Sequence, residues 1–457
     1  MNPPTQPATA VHPALAPSMA YHLITFGCQM NEADSQLMAG LLDQAGWCPV
    51  TSVENADLVV INTCAVREKP EQKVYSLLGE LRRHKQRRPA ATIVVTGCMA
   101  QGAGRKLLKR APHVDAVLGT RCFHHIVEAV DRSRSGEKGI VITDLHDDPA
   151  APRCGPGMER ERAPLRAFVP IILGCTNFCS YCIVPYVRGA EASRPQEEVV
   201  REVEALVRAG TREVTLLGQN VLAWGRDLPA RPGFEALLTF VARVEGLWRL
   251  RFLTSHPRDV TPGLIEAMRD LGAACEHIHL PIQAGTDRLL QEMNRGYTTD
   301  QYRAVVDQLR AAIPGISITT DIMVGFPGET EEDCEKSLKL YERIEFDAAF
   351  TFAYSPRPGT AATQMLDQVP RKTALARLQG VIELQNRITC ERNSREVGNL
   401  AQVLVEGRAE KGDGLLCGRT RRNKQVVFPG DRDLTGSLTQ VRLTRAHLWG
   451  FSGQVVA

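Results

Sequence analysis

The sequence predicts an α/β protein with an N-terminal parallel α/β domain, a partial (β/α)6 barrel and a small C-terminal β-barrel. Three observations predict this fold class. Short apolar, β-branched runs alternate with helical segments up to about residue 392, which is typical of a parallel sheet covered by helices. From residue 393 onwards only short strand-like runs occur. With 457 residues the chain is also too long for one ordinary domain. We expect a disordered tail at 1–20 and domains at 21–145, 146–392 and 393–457.

The composition is that of a globular protein, with 43% hydrophobic and 23% charged residues. Residues 1–20 contain five prolines and neither Lys nor Arg, so they lack the basic start and apolar run of a signal peptide. No apolar run reaches the length that spans a membrane. The 13 cysteines then indicate a reducing compartment, where thiols are more often ligands than disulfides. We expect a cytoplasmic protein that does not bind a membrane.

The first domain repeats one pattern three times. Strands are predicted at Tyr21–Phe26, Leu58–Asn62 and Thr92–Thr96, and helices at Glu32–Gln44, Glu71–Arg83 and Gly104–Arg110. A cysteine follows each strand, namely Cys28, Cys64 and Cys98. Because the carboxyl ends of parallel strands share one edge, the three thiols can converge on one centre. The alternative is three buried cysteines that pack as small apolar residues.

The second domain is predicted to be an open barrel. Its strand candidates number six, which is fewer than the eight of a closed barrel; they lie at Phe168–Leu173, Glu213–Gly218, Leu250–Thr254, Ile278–Pro281, Ser317–Met323 and Ala349–Tyr354. Cys175 follows the first strand directly. A site at the carboxyl face of the barrel is therefore expected.

A second group of thiols, Cys175, Cys179 and Cys182, lies within eight residues. Thiolates prefer soft metals or iron–sulfur clusters. A structural zinc site needs four ligands, and the next Cys or His along the chain is His256. The spacing favours a [4Fe–4S] cluster that leaves one iron open. A zinc knuckle or disulfides are the alternatives.

This CxxxCxxC motif, with the aromatic Tyr181 before its last cysteine, resembles the signature of radical S-adenosylmethionine (SAM) enzymes. The resemblance implies that the open iron binds SAM and that one electron splits SAM into methionine and a 5′-deoxyadenosyl radical. Cys175, Cys179 and Cys182 would then be both metal ligands and catalytic residues.

The segments around Cys28, Cys64 and Cys98 resemble the N-terminal domain of methylthiotransferases, and phrases similar to that family recur over residues 21–457. The resemblance implies a second [4Fe–4S] cluster on these three cysteines, also with an open iron, which delivers sulfur. Cys48 and Cys122 lie outside the pattern and are expected to be structural.

Further residues are candidates for SAM binding. Gln219, Asn220 and Asp321 lie at or just past strand ends, Tyr181 lies within the cysteine motif, and Arg188 and Arg194 lie a few residues past it, where the barrel opens. Either arginine could hold the SAM carboxylate or an RNA phosphate.

The C-terminal segment is basic. From Glu396 to Ala457 it has nine Lys and Arg against six Asp and Glu, and four of the cations lie within 419–424. The segment resembles a TRAM domain, the RNA-binding appendage of this family. The resemblance and the charge predict that Arg419, Arg421, Arg422 and Lys424 bind RNA. A solvated hairpin loop is the alternative.

Taken as a whole, the sequence resembles the MiaB-type tRNA methylthiotransferases. The resemblance implies a radical SAM transferase that adds a methylthio group to C2 of N6-isopentenyladenosine beside the anticodon. It also implies a tRNA anticodon loop as partner, an electron donor such as flavodoxin or ferredoxin, and a monomer. The alternatives are a sister enzyme for threonylcarbamoyladenosine or a ribosomal protein aspartate, and an iron–sulfur RNA-binding regulator without turnover. A lipoyl- or biotin-type sulfur inserter would not need the RNA module.

Overall fold

The computed structural model describes residues 19–65, 68–146 and 163–456; the side chains of 68–71 are not among those described. The predicted tail at 1–20 and the predicted loop Asp147–Pro164 therefore lie almost entirely outside the described residues. Within those ranges no helix is both long enough and apolar enough to cross a membrane.

The N-terminal domain is a six-stranded parallel sheet in the order β2-β1-β3-β4-β5-β6. The strands are β1 (Ala20–Thr25), β2 (Cys48–Pro49), β3 (Leu58–Thr63), β4 (Thr92–Gly97), β5 (Ala116–Leu118) and β6 (Ile140–Ile142). The helices are α1 (Gln29–Gln44), α2 (Glu68–Arg87), α3 (Cys98–Ala103), α4 (Arg105–Arg110) and α5 (Ile126–Arg134). The three predicted strands are confirmed as β1, β3 and β4. Every residue of β3 and β4 is buried, because helices cover both faces of a parallel sheet.

The second domain is an open barrel. Its strands are β7 (Arg166–Pro170), β8 (Ile172–Leu173), β9 (Ala192–Ser193), β10 (Glu213–Leu217), β11 (Arg249–Phe252), β12 (His277–His279), β13 (Ser317–Val324) and β14 (Ala348–Ala353). Six of them, β7 and β10 to β14, form the barrel as predicted, and β8 pairs with β9. The sheets β7-β10-β11 and β12-β13-β14 are joined by a parallel bridge between Leu250 and Ala274. No pairing joins β7 to β14 in the described residues, so the barrel stays open at that side.

Helices cover the outer side of this barrel. They are α6 (Val184–Arg188), α7 (Gln196–Arg208), α8 (Phe234–Ala242), α9 (Pro262–Asp270), α10 (Asp287–Glu292), α11 (Thr299–Ala312), α12 (Glu331–Ile344) and α13 (Arg371–Ser394). Alternate strand residues such as Val214, Leu216 and Ile318 pack with them in the largest apolar core of the chain. The other residues of each strand face the barrel interior.

The C-terminal domain is a closed five-stranded barrel in the order β15-β16-β17-β19-β18. Its strands are β15 (Leu400–Arg408), β16 (Leu415–Thr420), β17 (Gln425–Pro429), β18 (Leu438–His447) and β19 (Gly450–Val455). Strands β16 and β19 were not predicted. The basic segment, for which a solvated hairpin loop was the alternative to an RNA-binding surface, begins within β16, because Arg419 and Thr420 are the last residues of that strand.

The C-terminal domain closes the amino end of the large barrel. Arg249 begins β11, and its two terminal nitrogens donate to the carbonyls of Arg419 (2.6 Å) and Gln402 (2.9 Å). Arg251 likewise donates to the carbonyls of Arg421 (2.7 Å) and Thr420 (2.8 Å). Both arginines are buried. The loop after β16 therefore occupies the end of the barrel that lies opposite Cys175.

Glu213, the first residue of β10, balances this buried positive charge. Its carboxylate contacts Arg166 (2.8 Å) and Arg251 (3.1 Å), and Arg249 lies at 4.0 Å. Burial acts to raise the pKa of Glu213, but the three guanidinium groups outweigh burial and hold the pKa below its ordinary value. Glu213 therefore stays ionised with no solvent exposure.

We expect Glu213→Gln to lower the free energy of unfolding by about 3–5 kcal/mol, because it leaves buried guanidinium groups without a counter-charge. Thermal unfolding of the full chain followed by circular dichroism measures the effect. Glu204→Gln is the matched control: Glu204 also pairs with an arginine, Arg208 at 3.9 Å, but its side chain is 45% exposed, and such a pair contributes about 0–1 kcal/mol. Equal unfolding midpoints for the two variants would contradict the role given to Glu213.

Candidate functional site

The loop that carries Cys175, Cys179 and Cys182 begins with a tight turn. Gly174 has φ +71°, and a Cβ atom there would clash with the carbonyl oxygens of residues 189 and 190. Only glycine combines this backbone conformation with such a close approach. The amide of Cys175 then donates to the carbonyl of Gly189 at 3.1 Å. The cysteine loop is thus fastened to the end of α6.

A second segment, residues 292–295, holds the same loop from the other side. The Asn294 side chain donates to the carbonyl of Phe178 (3.0 Å), and the amide of Ser180 donates to the carbonyl of Met293 (3.1 Å). Arg295, which is 5% exposed, donates from Nη1 to Cys179 Sγ (3.4 Å) and from Nη2 to the carbonyl of Pro281 (3.0 Å). Arg295 thus fixes the position of the Cys179 sulfur.

The three thiols of this loop are close enough to influence one another. Burial, together with the neighbouring cysteines, raises the pKa of Cys175 to about 11 and the pKa of Cys182 to about 12. Without a metal, Cys175 and Cys182 hold their protons at neutral pH. Binding of iron must therefore release protons, and the bound cations then supply the charge that the buried thiolates need.

Beside this loop, the carboxyl ends of β10 and β11 present polar atoms without a hydrogen-bond partner among the described residues. They are Gln219 Oε1, Asn220 Oδ1, Ser255 Oγ and His256 Nε2. Buried polar atoms are rarely left unpaired, so such a group fits a polar ligand. Gln219 and Asn220 were predicted to bind SAM, and the donors and acceptors here suit a molecule with amino, carboxylate and hydroxyl groups.

The orientation of the Asn220 amide and the protonation state of His256 are both set by their surroundings. The Asn220 amide donates to Asp259 at 2.6 Å, which directs Oδ1 away from that carboxylate. Burial, followed by the charge of Arg295, lowers the pKa of His256 to about 3. His256 is therefore a neutral imidazole at physiological pH. His256 was not predicted to be a site residue, but its Nε2 is one of the unpaired polar atoms.

The second group of cysteines lies at the carboxyl edge of the N-terminal sheet. Cys28 precedes the first turn of α1, Cys64 follows β3, and Cys98 begins α3. A Cβ atom built on Gly27 would lie 2.9 Å from Cys64 Cβ. Cys28 is near enough to Cys98 to raise its pKa, although burial is the larger cause and Arg188 acts in the opposite direction. The structure therefore brings these three predicted residues together.

Two buried asparagines fix the positions of Cys28 and Cys64. Asn31 Nδ2 donates to Asn62 Oδ1 (3.0 Å) and to the carbonyl of Thr63 (3.1 Å), while its Oδ1 accepts from the amide of Cys28 (3.3 Å). The amide pair joins the start of α1 to the end of β3. No role was predicted for either asparagine from the sequence.

Within the described ranges no three His, Cys, Asp or Glu side chains form a group that could hold a metal ion. A [4Fe–4S] cluster has a different requirement, because each cysteine binds a different iron and the sulfurs surround the cluster. Three thiols at the strand ends, glycines that leave room and buried asparagines that fix the loops fit such a cluster better than a single ion.

The two cysteine groups face each other across the domain boundary. Met30 and Ala33 of α1 pack against Leu173 and Leu217 at the carboxyl ends of β8 and β10. Helix α3, which begins with Cys98, packs against α6, which begins two residues after Cys182. Two of the three helices that follow N-terminal cysteines, α1 and α3, therefore contact the barrel domain near its own cysteine loop.

Arg188, the last residue of α6, connects the two groups directly. Its Nε donates to Cys98 Sγ at 3.2 Å, and its Nη2 pairs with Asp34 at 2.9 Å. Thr120 and Arg121 of the N-terminal domain donate to the carbonyls of Val187 (2.5 Å) and Arg188 (3.0 Å). Burial opposes the charge of Arg188, but Cys98 and Asp34 outweigh burial and keep the pKa of Arg188 raised.

The other predicted SAM ligands have protein partners. Arg194 Nη1 donates to the carbonyl of Pro170 (2.8 Å) and pairs with Glu202 (2.6 Å). Asp321 lies 3.4 Å from His279 Nε2 inside the barrel. Tyr181 packs against the main core, and burial raises its pKa well above the ordinary value. SAM contact by these three residues stays a prediction.

The four cations predicted to bind RNA lie at the junction between the C-terminal domain and the large barrel, and each pairs with a carboxylate of the same chain. Arg421 pairs with Glu276 (2.8 Å), Arg422 with Glu396 (3.3 Å), Arg419 with Glu406 (3.3 Å) and Lys424 with Asp347 (3.3 Å). Lys424 is 8% exposed. The pairs of Arg421 and Lys424 join the C-terminal domain to the barrel, whereas those of Arg419 and Arg422 lie within the C-terminal domain. RNA binding by the four side chains stays a prediction.

Three residues of the site were missed by sequence reasoning. Asp34 sits on α1 among polar and apolar neighbours and has no distinguishing local pattern. Arg295 follows α10 and is far in sequence from the cysteine that it contacts. Asp259 ends a short turn after His256, and nothing in the local sequence pairs it with Asn220. Only the fold shows which cysteine or amide each of them contacts.

Two family models match the regions of the chain that contain the two cysteine groups. Residues 20–119 match the model of "Uncharacterized protein family UPF0004", and residues 169–341 match the model of the radical SAM superfamily. The first match includes Cys28, Cys64 and Cys98, and the second includes Cys175, Cys179 and Cys182.

Similar curated proteins extend over nearly the whole chain. The tRNA-2-methylthio-N(6)-dimethylallyladenosine synthase of Carboxydothermus hydrogenoformans is 46% identical over 439 residues, which is 96% of this chain and 99% of that protein. The protein of the same name from Moorella thermoacetica is 47% identical and covers 95% of this chain and 98% of its own length.

Among solved structures, the radical S-adenosylmethionine methyltransferase TsrM from Kitasatospora setae, with cobalamin and a [4Fe-4S] cluster bound, is similar in fold. It has a TM-score of 0.55 and 15% identity, and the match covers 88% of this chain and 80% of TsrM. This likeness concerns the fold alone.

Gly97 allows a direct test of the N-terminal site. It has φ +93°, and a Cβ atom there would clash with the carbonyl oxygen of Thr63, next to Cys64. We expect Gly97→Ala to displace the Cys64 loop and to lower the iron bound by the reconstituted protein. Gly136→Ala is the matched control, because Gly136 has φ +100° but no atom within 4 Å of its Cβ position. Iron content measured by atomic absorption should fall only in Gly97→Ala. The same iron content in both variants would contradict the steric argument.

Proposed function

Because this chain belongs to the family of tRNA-2-methylthio-N(6)-dimethylallyladenosine synthases, with a central domain of the radical SAM superfamily, we propose that it transfers a methylthio group to C2 of N6-isopentenyladenosine next to the anticodon of tRNA. The proposal depends most on one observation. Two separate groups of three cysteines, each at the carboxyl ends of parallel strands, lie on the two sides of one domain boundary, where α1 packs on the barrel strands and Arg188 contacts Cys98.

The cofactors of this reaction are SAM and two [4Fe–4S] clusters. We assign Cys175, Cys179 and Cys182 to one cluster, and Cys28, Cys64 and Cys98 to the other. When bound, these groups supply one-electron chemistry and sulfur. An aromatic C–H bond without an acidic proton needs such chemistry, because general acid–base catalysis requires a proton that a side chain can remove.

The protein's own residues orient these groups and exclude water. Arg295 donates to Cys179 and is itself fixed by the carbonyl of Pro281. The unpaired atoms of Asn220 and His256 would bind the polar groups of SAM. Met30 on α1 packs over the carboxyl ends of the barrel strands, which restricts access to the site from that direction.

The substrate adenine would enter through the open side of the barrel. Phe350 lies on β14, the free edge strand, and is 54% exposed. Its ring stands edge-on to His279 at 5.8 Å between centroids. An exposed aromatic at an open edge suits a base that has left its stack, and single-stranded loops release bases at little cost.

The outer face of the C-terminal barrel is the better candidate for contact with the RNA backbone. Arg442 and Arg445 on β18 are exposed, and Trp449 in the turn before β19 is 74% exposed. Exposed cations beside an aromatic ring are typical of surfaces that bind single-stranded RNA. We further propose that the protein acts as a monomer in the cytoplasm and that a flavodoxin- or ferredoxin-type protein reduces it.

The substrate is tested with RNA stem-loops. We expect the reconstituted protein, supplied with SAM, a reductant and sulfide, to convert isopentenyladenosine to its 2-methylthio derivative and to release 5′-deoxyadenosine. Mass spectrometry of the digested RNA detects the modified nucleoside, and chromatography of the reaction mixture detects 5′-deoxyadenosine. The variant Cys175→Ala/Cys179→Ala/Cys182→Ala should form neither. Stem-loops with adenosine or threonylcarbamoyladenosine are the controls, and methylthiolation of threonylcarbamoyladenosine instead of isopentenyladenosine would contradict the proposal.

A second variant distinguishes the contributions of the two clusters. Replacing Cys28, Cys64 and Cys98 by Ala should lower bound iron from about eight to about four atoms per chain, since each cubane holds four irons. SAM cleavage should continue in this variant because the ligands of the other cluster are intact. Iron analysis and chromatography of 5′-deoxyadenosine measure the two quantities. Unchanged iron would disprove the second cluster.

A further inference from the structure

Arg188 has one nitrogen without a partner at the junction of the two cysteine groups. Nε donates to Cys98 and Nη2 pairs with Asp34, whereas Nη1 is buried and has no hydrogen-bond partner among the described residues. The residue is 3% exposed, so bulk water does not satisfy this nitrogen. A buried charged donor without a partner costs more than a neutral one. Other buried arginines, such as Arg194, also have an unpaired nitrogen. In Arg188 the unpaired Nη1 points to a ligand because the same guanidinium contacts Cys98.

The surroundings of Arg188 define the chemistry of that ligand. A guanidinium only donates hydrogen bonds and keeps its positive charge. The ligand must therefore present an acceptor, and an anion is favoured in a buried site. It must also fit beside Cys98, which we assign to the N-terminal cluster. An anionic sulfur species such as hydrosulfide or methanethiolate has the required charge, size and affinity for iron.

The position of Arg188 is fixed independently of any ligand. Thr120 and Arg121 bind the carbonyls of Val187 and Arg188, and a Cβ atom on Gly189 would lie 3.2 Å from Arg121 Nε. Asp34 fixes the guanidinium from α1. The donor is thus preorganised, which lowers the entropy cost of binding.

From these contacts we propose that Arg188 is a positioning residue that binds the anionic sulfur co-substrate beside the N-terminal cysteines. This inference rests on the proposed function. Arg188 belongs to the barrel domain, whereas Cys28, Cys64 and Cys98 belong to the N-terminal domain. The sulfur site is therefore complete only when the two domains are docked, and the same residue holds the sulfur close to the carboxyl face of the barrel.

The test measures sulfur binding without RNA or SAM. The full-length variant Cys175→Ala/Cys179→Ala/Cys182→Ala is reconstituted, so that the N-terminal cluster is the one expected to be present. Sodium hydrosulfide and methanethiolate are titrated separately, and the electron paramagnetic resonance spectrum of the reduced cluster is recorded. In this background we expect Arg188→Met to weaken binding of both anions by about 10- to 100-fold, the loss typical of a hydrogen bond to a charged group.

Three further variants in the same background separate anion binding from domain packing. Arg188→Lys keeps the charge but not the planar fork, and it should also weaken binding. Asp34→Asn keeps a side-chain oxygen that can accept from Arg188 Nη2, so the guanidinium stays oriented and the domains stay docked. Because the variant removes a competing negative charge, binding should be equal or tighter. Arg194→Met is the matched control, because Arg194 is also buried, also has one unpaired nitrogen and pairs with Glu202 away from the cysteines; binding should not change.

Weaker binding in both Arg188 variants, with binding retained in Asp34→Asn and Arg194→Met, supports the proposal. Equal weakening in Arg188→Met and Asp34→Asn would show that the ion pair only holds the domains together, and would overturn it. Unchanged binding in Arg188→Met and Arg188→Lys would overturn it as well. Failure of the proposed function would give a different result. If the Cys175→Ala/Cys179→Ala/Cys182→Ala protein binds no iron, the N-terminal cluster does not exist, and the inference about Arg188 fails with it.

Discussion

The buried ion pair between Arg188 and Asp34 is the interaction on which the arrangement of the site depends. A guanidinium can be buried only where acceptors surround it. Here the acceptors, Asp34 and Cys98, belong to a different domain from the arginine. The pair therefore forms only in one docked arrangement of the two domains. In that arrangement the end of α6 touches the loop of one cysteine group and the side chain of Arg188 touches the other.

The remaining architecture follows from the rule that parallel sheets carry their sites at the carboxyl ends of the strands. Both parallel sheets of this chain have a cysteine group at that edge, and docking turns the two edges toward each other. The amino end of the barrel is then free for a structural role. The C-terminal domain occupies it through Arg249 and Arg251, with Glu213 as the counter-charge. The carboxyl end of the barrel thus carries the candidate active site, and the amino end binds the C-terminal domain.

Much of this arrangement could be predicted from the sequence because it depends on local pattern. The long buried strands β3, β4, β10 and β13 have clear apolar runs, and the cysteines that follow strands were identified by position alone. Strands of two or three residues, such as β5, are too short to show a periodicity. Contacts between residues that are distant in the sequence could not be predicted either. The charge of Arg421 is visible in the sequence, but its pairing with Glu276, on a different domain, is not. The same holds for Arg188, whose partner Asp34 is 154 residues away.

The central claim is that the two clusters face each other across the boundary that Arg188 and Asp34 fix. Electron paramagnetic resonance of the fully reduced protein tests this claim most directly, with the two triple-cysteine variants as single-cluster references. Close clusters interact magnetically, so the account predicts a spectrum of the intact protein that is broadened or split relative to the sum of the two references. A spectrum equal to that sum would contradict the account.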